Sequence, residues 1–176
     1  FVNVVADGIP GFALSKEKAD PTIMDNEPTA KGESIFAKGG YRNIAIAAIT
    51  FTVATLLGFY VGSFIDIGSS IAPSHVVGQT MAFLILGFSS VVHIFNARTK
   101  ESIFKVGITS NLSLFLLAML SIGLIALVAT VPFLAAIFDL VALSVTHWLI
   151  VAGLSLAILV VVELQKFIMS KMNKHF

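Results

Sequence analysis

Cysteine is missing altogether from these 176 residues, tryptophan occurs once, and charge is sparse, with 11 Lys and Arg against 10 Asp and Glu. Without a thiol there is no disulfide and no thiolate metal site, so redox compartment cannot be read from the chain. A net charge of +1 says nothing about nucleic acid, and no nucleic-acid partner is expected. Charged residues make up 12% of the sequence, about half their share in a soluble domain. No phosphate-binding glycine loop, nucleophile triad or zinc motif occurs. His75 and His147 fall in the expected outer loops and His175 in the tail, without ligand spacing.

Hydrophobicity takes the place of charge. Apolar residues form 57% of the chain and mean hydropathy is +0.96. They bunch into runs at 43–65, 77–97, 110–131 and 147–167, each about the length a bilayer requires. None has the polar face of a core helix in a soluble bundle. The opening run, Phe1–Leu14, is too short to span and follows neither an initiator Met nor a basic region. It reads as the second half of a transmembrane helix in a longer protein. The expected fold is all-α: a polytopic integral membrane protein with half a transmembrane helix plus four full ones, its partner the lipid bilayer. Three regions follow: the half helix 1–14, a loop 15–42 and a four-helix membrane domain 43–176.

The basic residues set the orientation. Lys16, Lys18, Lys31, Lys38 and Arg42 lie in the first loop, Arg98, Lys100 and Lys105 in the third, and Lys166, Lys171 and Lys174 at the end. The second loop, "DIGSSIAPSH", and the fourth, "VPFLAAIFDLVALSVTH", have none. The positive-inside rule then puts loops one and three and the C-terminus in the cytoplasm of a cell-membrane protein. In the fourth loop Pro132 should end or kink a helix and Asp139 opposes a continuous span, so a short interfacial helix is expected there. Trp148 serves as an aromatic anchor for the last span.

Polar residues inside the runs are few. Thr50, Ala54, Gly58 and Gly62 repeat every four residues as a ridge of small side chains for close helix packing. Ser89, His93 and Asn96 share a helix face with Ser90 beside them, suited to interhelical hydrogen bonds or to an ion pathway. Glu163 lies one turn from Lys166, an ion pair or a snorkelling carboxylate. Asn3 and Asp7 sit one turn apart in "FVNVVADGIPGFAL", with Gly8, Pro10 and Gly11 directly after. One reading is a capped or kinked helix end with Asp7 in solvent. In the other, Asp7 lies well inside the bilayer, because no charge follows it until Lys16. A buried carboxylate, an amide one turn away and an adjacent helix breaker suit a hard cation, since unwinding frees carbonyl oxygens. Gly8 and Pro10 would hold that unwound backbone.

"VNVVADGIPGFAL" closely resembles the "NLVTDGLPA" signature on the sixth transmembrane helix of P-type cation pumps of the calcium-ATPase class. "DPTIMDNEP" is similar to the loop after that helix, and "GQTMAFLILGFSSVVHIFNAR" to the eighth helix, with Thr80, Met81, Ala82 and Asn96 as fixed points. "FDLVALSVTHWLIV" resembles the turn into the tenth. The likeness covers essentially the whole chain and agrees with the orientation derived from charge. It implies the C-terminal membrane part of an ATP-driven pump, from mid sixth helix through the tenth, with Ca2+ as the transported ion and Asn3 and Asp7 as its ligands. The parent would be the enzyme: ATP and Mg2+ would be bound only by parts absent here, and the phosphorylated Asp-Lys-Thr-Gly sequence does not occur. Partners would be the remaining helices and the cytoplasmic domains, the loop 15–42 facing the phosphorylation domain. Two departures matter. The family Thr before the Asp is Ala6, and the Glu on the eighth helix of two-calcium pumps falls at Ser90. Both remove oxygens from the same one of two sites, which implies one ion per cycle. Two ligands leave open a pump for sodium, potassium, protons or manganese, and the residues alone also allow a free-standing four-span scaffold.

Overall fold

The computed structural model describes residues 1–17, 40–99 and 101–172. Most of the loop 15–42, including the "DPTIMDNEP" segment, and Lys100 and Lys174 therefore lie outside the described residues. A π-helical segment, Asn3–Gly8, continues into α1 (Ile9–Ala13) and a 3-10 turn at Leu14–Lys16. There follow α2 (Gly40–Phe64), α3 (His75–Ala97), the short α4 (Ile103–Val106), a 3-10 turn at Ile108–Ser110, α5 (Leu112–Thr130), α6 (Pro132–Ile137) and α7 (Val145–Met172). Helices α2, α3, α5 and α7 are long and apolar enough to cross a membrane. The described residues contain no strand.

Short polar side chains start these helices by accepting orphan backbone N–H groups. Ser74 accepts from Val77 N at 3.3 Å for α3, and Asn111 Oδ1 from Leu114 N at 3.0 Å for α5. Ser144 precedes α7, where its carbonyl accepts from Trp148 N at 3.1 Å. The same serine meets His147 Nδ1 at 2.6 Å, and His147 is almost fully buried. His75 and His147 therefore belong to the first turns of α3 and α7, not to loops; a capping serine extends each helix beyond its apolar run. The fourth loop does hold the expected short helix, with Pro132 at its first position, where a missing N–H costs nothing. That helix ends with Leu140 N donating to Ala135 O at 2.9 Å and Asp139 at φ 53°, a left-handed position usually given to Gly. Val141 N then donates to the fully buried Thr80 Oγ1 at 3.1 Å, tying this turn to α3.

Helix α3 is central: α2 and α7 pack on one side, and α5 and the N-terminal helical segment on the other. Half of its apolar stretch is buried, against 11% for α2, so α2 lies at the periphery of the described bundle. In lipid the helices gain little from hiding apolar surface, so close packing of small residues sets their approach. Ala54, Gly58 and Gly62 of the expected ridge are buried, while Thr50 is only half-buried. A Cβ on Gly62 would lie 2.8 Å from Gly78 Cα, and one on Gly78 would lie 2.5 Å from Phe59 O and closer still to Ser63 Oγ. Gly78→Ala must therefore push α2 off α3 and should cost about 1–3 kcal/mol. Gly153→Ala, with nothing within 4 Å of the new carbon, should gain up to about 1 kcal/mol. Denaturant titration of the purified protein in micelles checks the pair; equal midpoints would refute the close crossing.

The described basic residues gather at one end of the bundle. Arg98 meets Glu17, Lys166 reaches Asn96 O and Glu101 O, and Arg42 reaches Met169 Sδ at 3.0 Å. The loops without Lys or Arg, after α2 and after α5, lie at the other end of those helices.

Candidate functional site

Asn3 and Asp7 are both exposed, and they sit on a helical segment whose Val5 and Ala6 are buried against the rest of the bundle. The segment packs on α3 and α5. Its backbone departs from the expectation of unwinding. Gly8 has φ −67° and ψ −49°, Ile9 φ −63° and ψ −53°, both right-handed helical. The helix widens instead: Ile9 N–H donates to Val4 O, five residues back. Pro10, in the first turn of α1, lacks the N–H that an uninterrupted α-helix would give to Ala6 O. Widening accommodates the Gly–Ile–Pro sequence without breaking the helix, and such π turns recur at functional sites.

Chemically, one carboxylate and one amide offer at most about three side-chain oxygens, and a calcium ion takes six to eight. No group of three or more His, Asp or Glu able to hold a metal occurs among the described residues. Asn3 and Asp7 could therefore supply only part of such a shell, and both are exposed on the segment that buries Val5 and Ala6. Ala6, at 0% exposure, turns to the core and offers no side-chain oxygen, and Ser90 on α3 is half-buried. Of the polar face of α3, Asn96 does bond between helices, donating from Nδ2 to Leu159 O at 3.2 Å. Ser89 Oγ and His93 Nδ1 are buried without a hydrogen-bond partner, and the His93 ring stands edge-on to Phe51 at 5.6 Å.

The sequence reading missed a polar network at the basic end. Both carboxylate oxygens of Glu17 lie 3.3–3.4 Å from Arg98 Nη1, and the Arg98 side chain is completely buried. Arg98 Nη2 donates to Gly107 O at 2.6 Å and Ser110 Oγ at 2.8 Å. Asn111 Nδ2 donates to Glu17 at 2.8 Å and to Ala13 O, a carbonyl at the end of α1, at 3.3 Å. Glu163 does pair with Lys166 at 3.2 Å, as expected, but its other oxygen accepts from Ser102 Oγ at 2.5 Å and Ile103 N at 3.2 Å. Glu163 therefore joins α7 to the start of α4, while Lys166 caps α3. The basic residues and Glu163 were visible in sequence; their long-range partners carry no local signal.

Comparison with known proteins bears on the whole arrangement. The family described as cation transporting ATPase, C-terminus, matches residues 1–168. The chain is 32% identical over 177 residues to calcium-transporting ATPase 1 of Lactococcus lactis subsp. lactis (strain IL1403), covering 99% of this chain and 19% of that protein. It is 31% identical to calcium-transporting ATPase 1 of Bacillus cereus (strain ATCC 10987 / NRS 248), over 94% of this chain and 20% of that protein. Calcium-transporting ATPase type 2C member 1 of Homo sapiens is 26% identical, over 99% of this chain and 19% of that protein. The chain spans about a fifth of the length of the curated relatives it matches.

Proposed function

This chain belongs to the family of cation-transporting ATPase C-termini, and from that membership we propose that it forms the membrane end of a longer, ATP-driven calcium pump in which Asn3 and Asp7 ligate the transported ion. The observation that carries the reading is end-to-end similarity to proteins named calcium-transporting ATPases. The exposed pairing of Asn3 and Asp7 on a π turn supports the ligand assignment. Asp7 supplies the negative charge that a dehydrated divalent ion needs in a medium of low dielectric, and Asn3 adds a neutral oxygen. The remaining ligands come from helices outside this sequence, and ATP and Mg2+ bind to cytoplasmic parts outside it. Ala6 and Ser90 leave one ion site, because neither supplies a carboxylate for a second divalent cation. ATP-driven accumulation of radioactive calcium in inside-out vesicles containing the full-length protein tests the reading. Uptake of sodium, potassium, protons or manganese with none of calcium would assign another cation.

The basic end faces the cytoplasm in this reading, and the C-terminus with it. Since the chain has no cysteine, a single introduced thiol reports alone. The exposed residues Ser70 and Thr109 suit it. A membrane-impermeant maleimide should label Ser70→Cys from outside intact cells, and Thr109→Cys from the cytoplasmic side only. Labelling of both from one side would overturn the orientation.

A further inference from the structure

The helix carrying Asn3 and Asp7 is held at its other end by a charge with no access to water. Arg98 has 0% side-chain exposure, its Nη1 faces both oxygens of Glu17, and its Nε has no partner. Its Nη2 is fixed by Gly107 O and Ser110 Oγ. A buried guanidinium deprived of its counter-charge is costly, so Glu17 cannot swing away without penalty. Asn111 adds a second tie: Oδ1 caps α5 while Nδ2 holds both Glu17 and the last turn of α1. Glu17 is ten residues from Asp7, about 15 Å along a helix. A slip of one residue at the clasp would turn Asp7 by about 100° away from its exposed face.

We propose that Arg98 is a positioning residue for the cation site, fixing through Glu17 and Asn111 the rotation and depth at which the helix presents Asn3 and Asp7. The role rests on the assignment of Asn3 and Asp7 as ligands. It touches no ion; it sets where the ligands stand when the ion arrives. Glu17 also ends the helical segment, so the clasp anchors that segment at its basic end.

Equilibrium calcium binding to the full-length protein tests this, with Glu17→Gln and Arg98→Gln made singly and together. Each single variant should weaken calcium affinity about tenfold, within the span of about 5–150-fold typical of coupling between sites. The number of ions per phosphorylation site and the maximal phosphorylation should stay as in the wild type. The double variant should bind no more weakly than the weaker single, because both remove one interaction. Arg98→Lys, which keeps the charge but not the fork, should fall between. The isosteric Glu17→Gln keeps shape at a partly exposed position, so it decides the matter if Arg98→Gln fails to fold. A spin label on the exposed Ser15 should become more mobile in both variants. Unchanged affinity in Glu17→Gln, or losses that multiply in the double variant, would overturn the positioning role. In that case the ligand assignment still stands if Asp7→Asn weakens binding by about 100-fold or more. Wild-type binding by Asp7→Asn would remove the assignment and the positioning role with it.

Discussion

With Asp7 a ligand as proposed, Asp7→Asn in the full-length protein should weaken calcium affinity by about 100-fold or more, roughly 2.7 kcal/mol. The substitution keeps the side chain's size and one oxygen, and removes the charge alone. Asp7 and Asn3 are exposed side-chain oxygen donors on the π turn, and no group of three or more His, Asp or Glu able to hold a metal occurs among the described residues. In a medium that cannot hydrate a divalent ion, loss of one carboxylate is poorly compensated by neutral oxygens. Asn3→Ala should cost less, about tenfold, since it removes a neutral donor from a shell of six to eight. Calcium-dependent phosphorylation by ATP reads both affinities. A variant pair with the reverse order, Asn3→Ala worse than Asp7→Asn, would place the charge elsewhere.

Glu163→Leu should destabilise the folded protein by about 3 kcal/mol. Glu163 is 9% exposed and holds three donors: Lys166 Nζ, Ser102 Oγ and Ile103 N. Removing it strands a largely buried ammonium and leaves the first turn of α4 without its acceptor, so desolvation costs reappear in full. Lys105→Ala breaks an ion pair too, but that pair with Glu101 is 72% and 56% exposed, and its loss should change stability by less than about 0.5 kcal/mol. Denaturant midpoints in micelles distinguish the two. Similar small shifts for both would mean that Glu163 is solvated and that α4 docks without it.

The spans were legible because bilayer length and hydropathy act over twenty residues at once. The run at 77–97 became α3, and α3 and α7 each begin two residues before their apolar runs, where Ser74 and Ser144 start turns that contain histidine. The break at Pro132 was legible for a local reason as well: a missing N–H has consequences within one turn. Asn3 and Asp7 stood out because polar residues are costly in such surroundings. The form of their backbone did not, because Gly and Pro announce that the α ladder must change without saying whether it opens or widens. The clasp at the basic end was illegible for another reason. Arg98 finds Glu17 across 81 residues, Asn111 finds it across 94, and Glu163 finds Ile103 across 60. Such pairings depend on how the helices pack, and one sequence shows only that charges collect at those loops.

Equilibrium binding of radioactive calcium to the full-length protein, normalised to phosphorylation sites, tests the central claim most directly. One ion per phosphorylation site in the wild type and none in Asp7→Ala is the predicted result. The first value follows from the oxygens missing at Ala6 and Ser90, the second from the place of Asp7 on the exposed side of the π turn. Two ions per site would contradict the single site, and undiminished binding in Asp7→Ala would contradict the assignment of Asp7 itself.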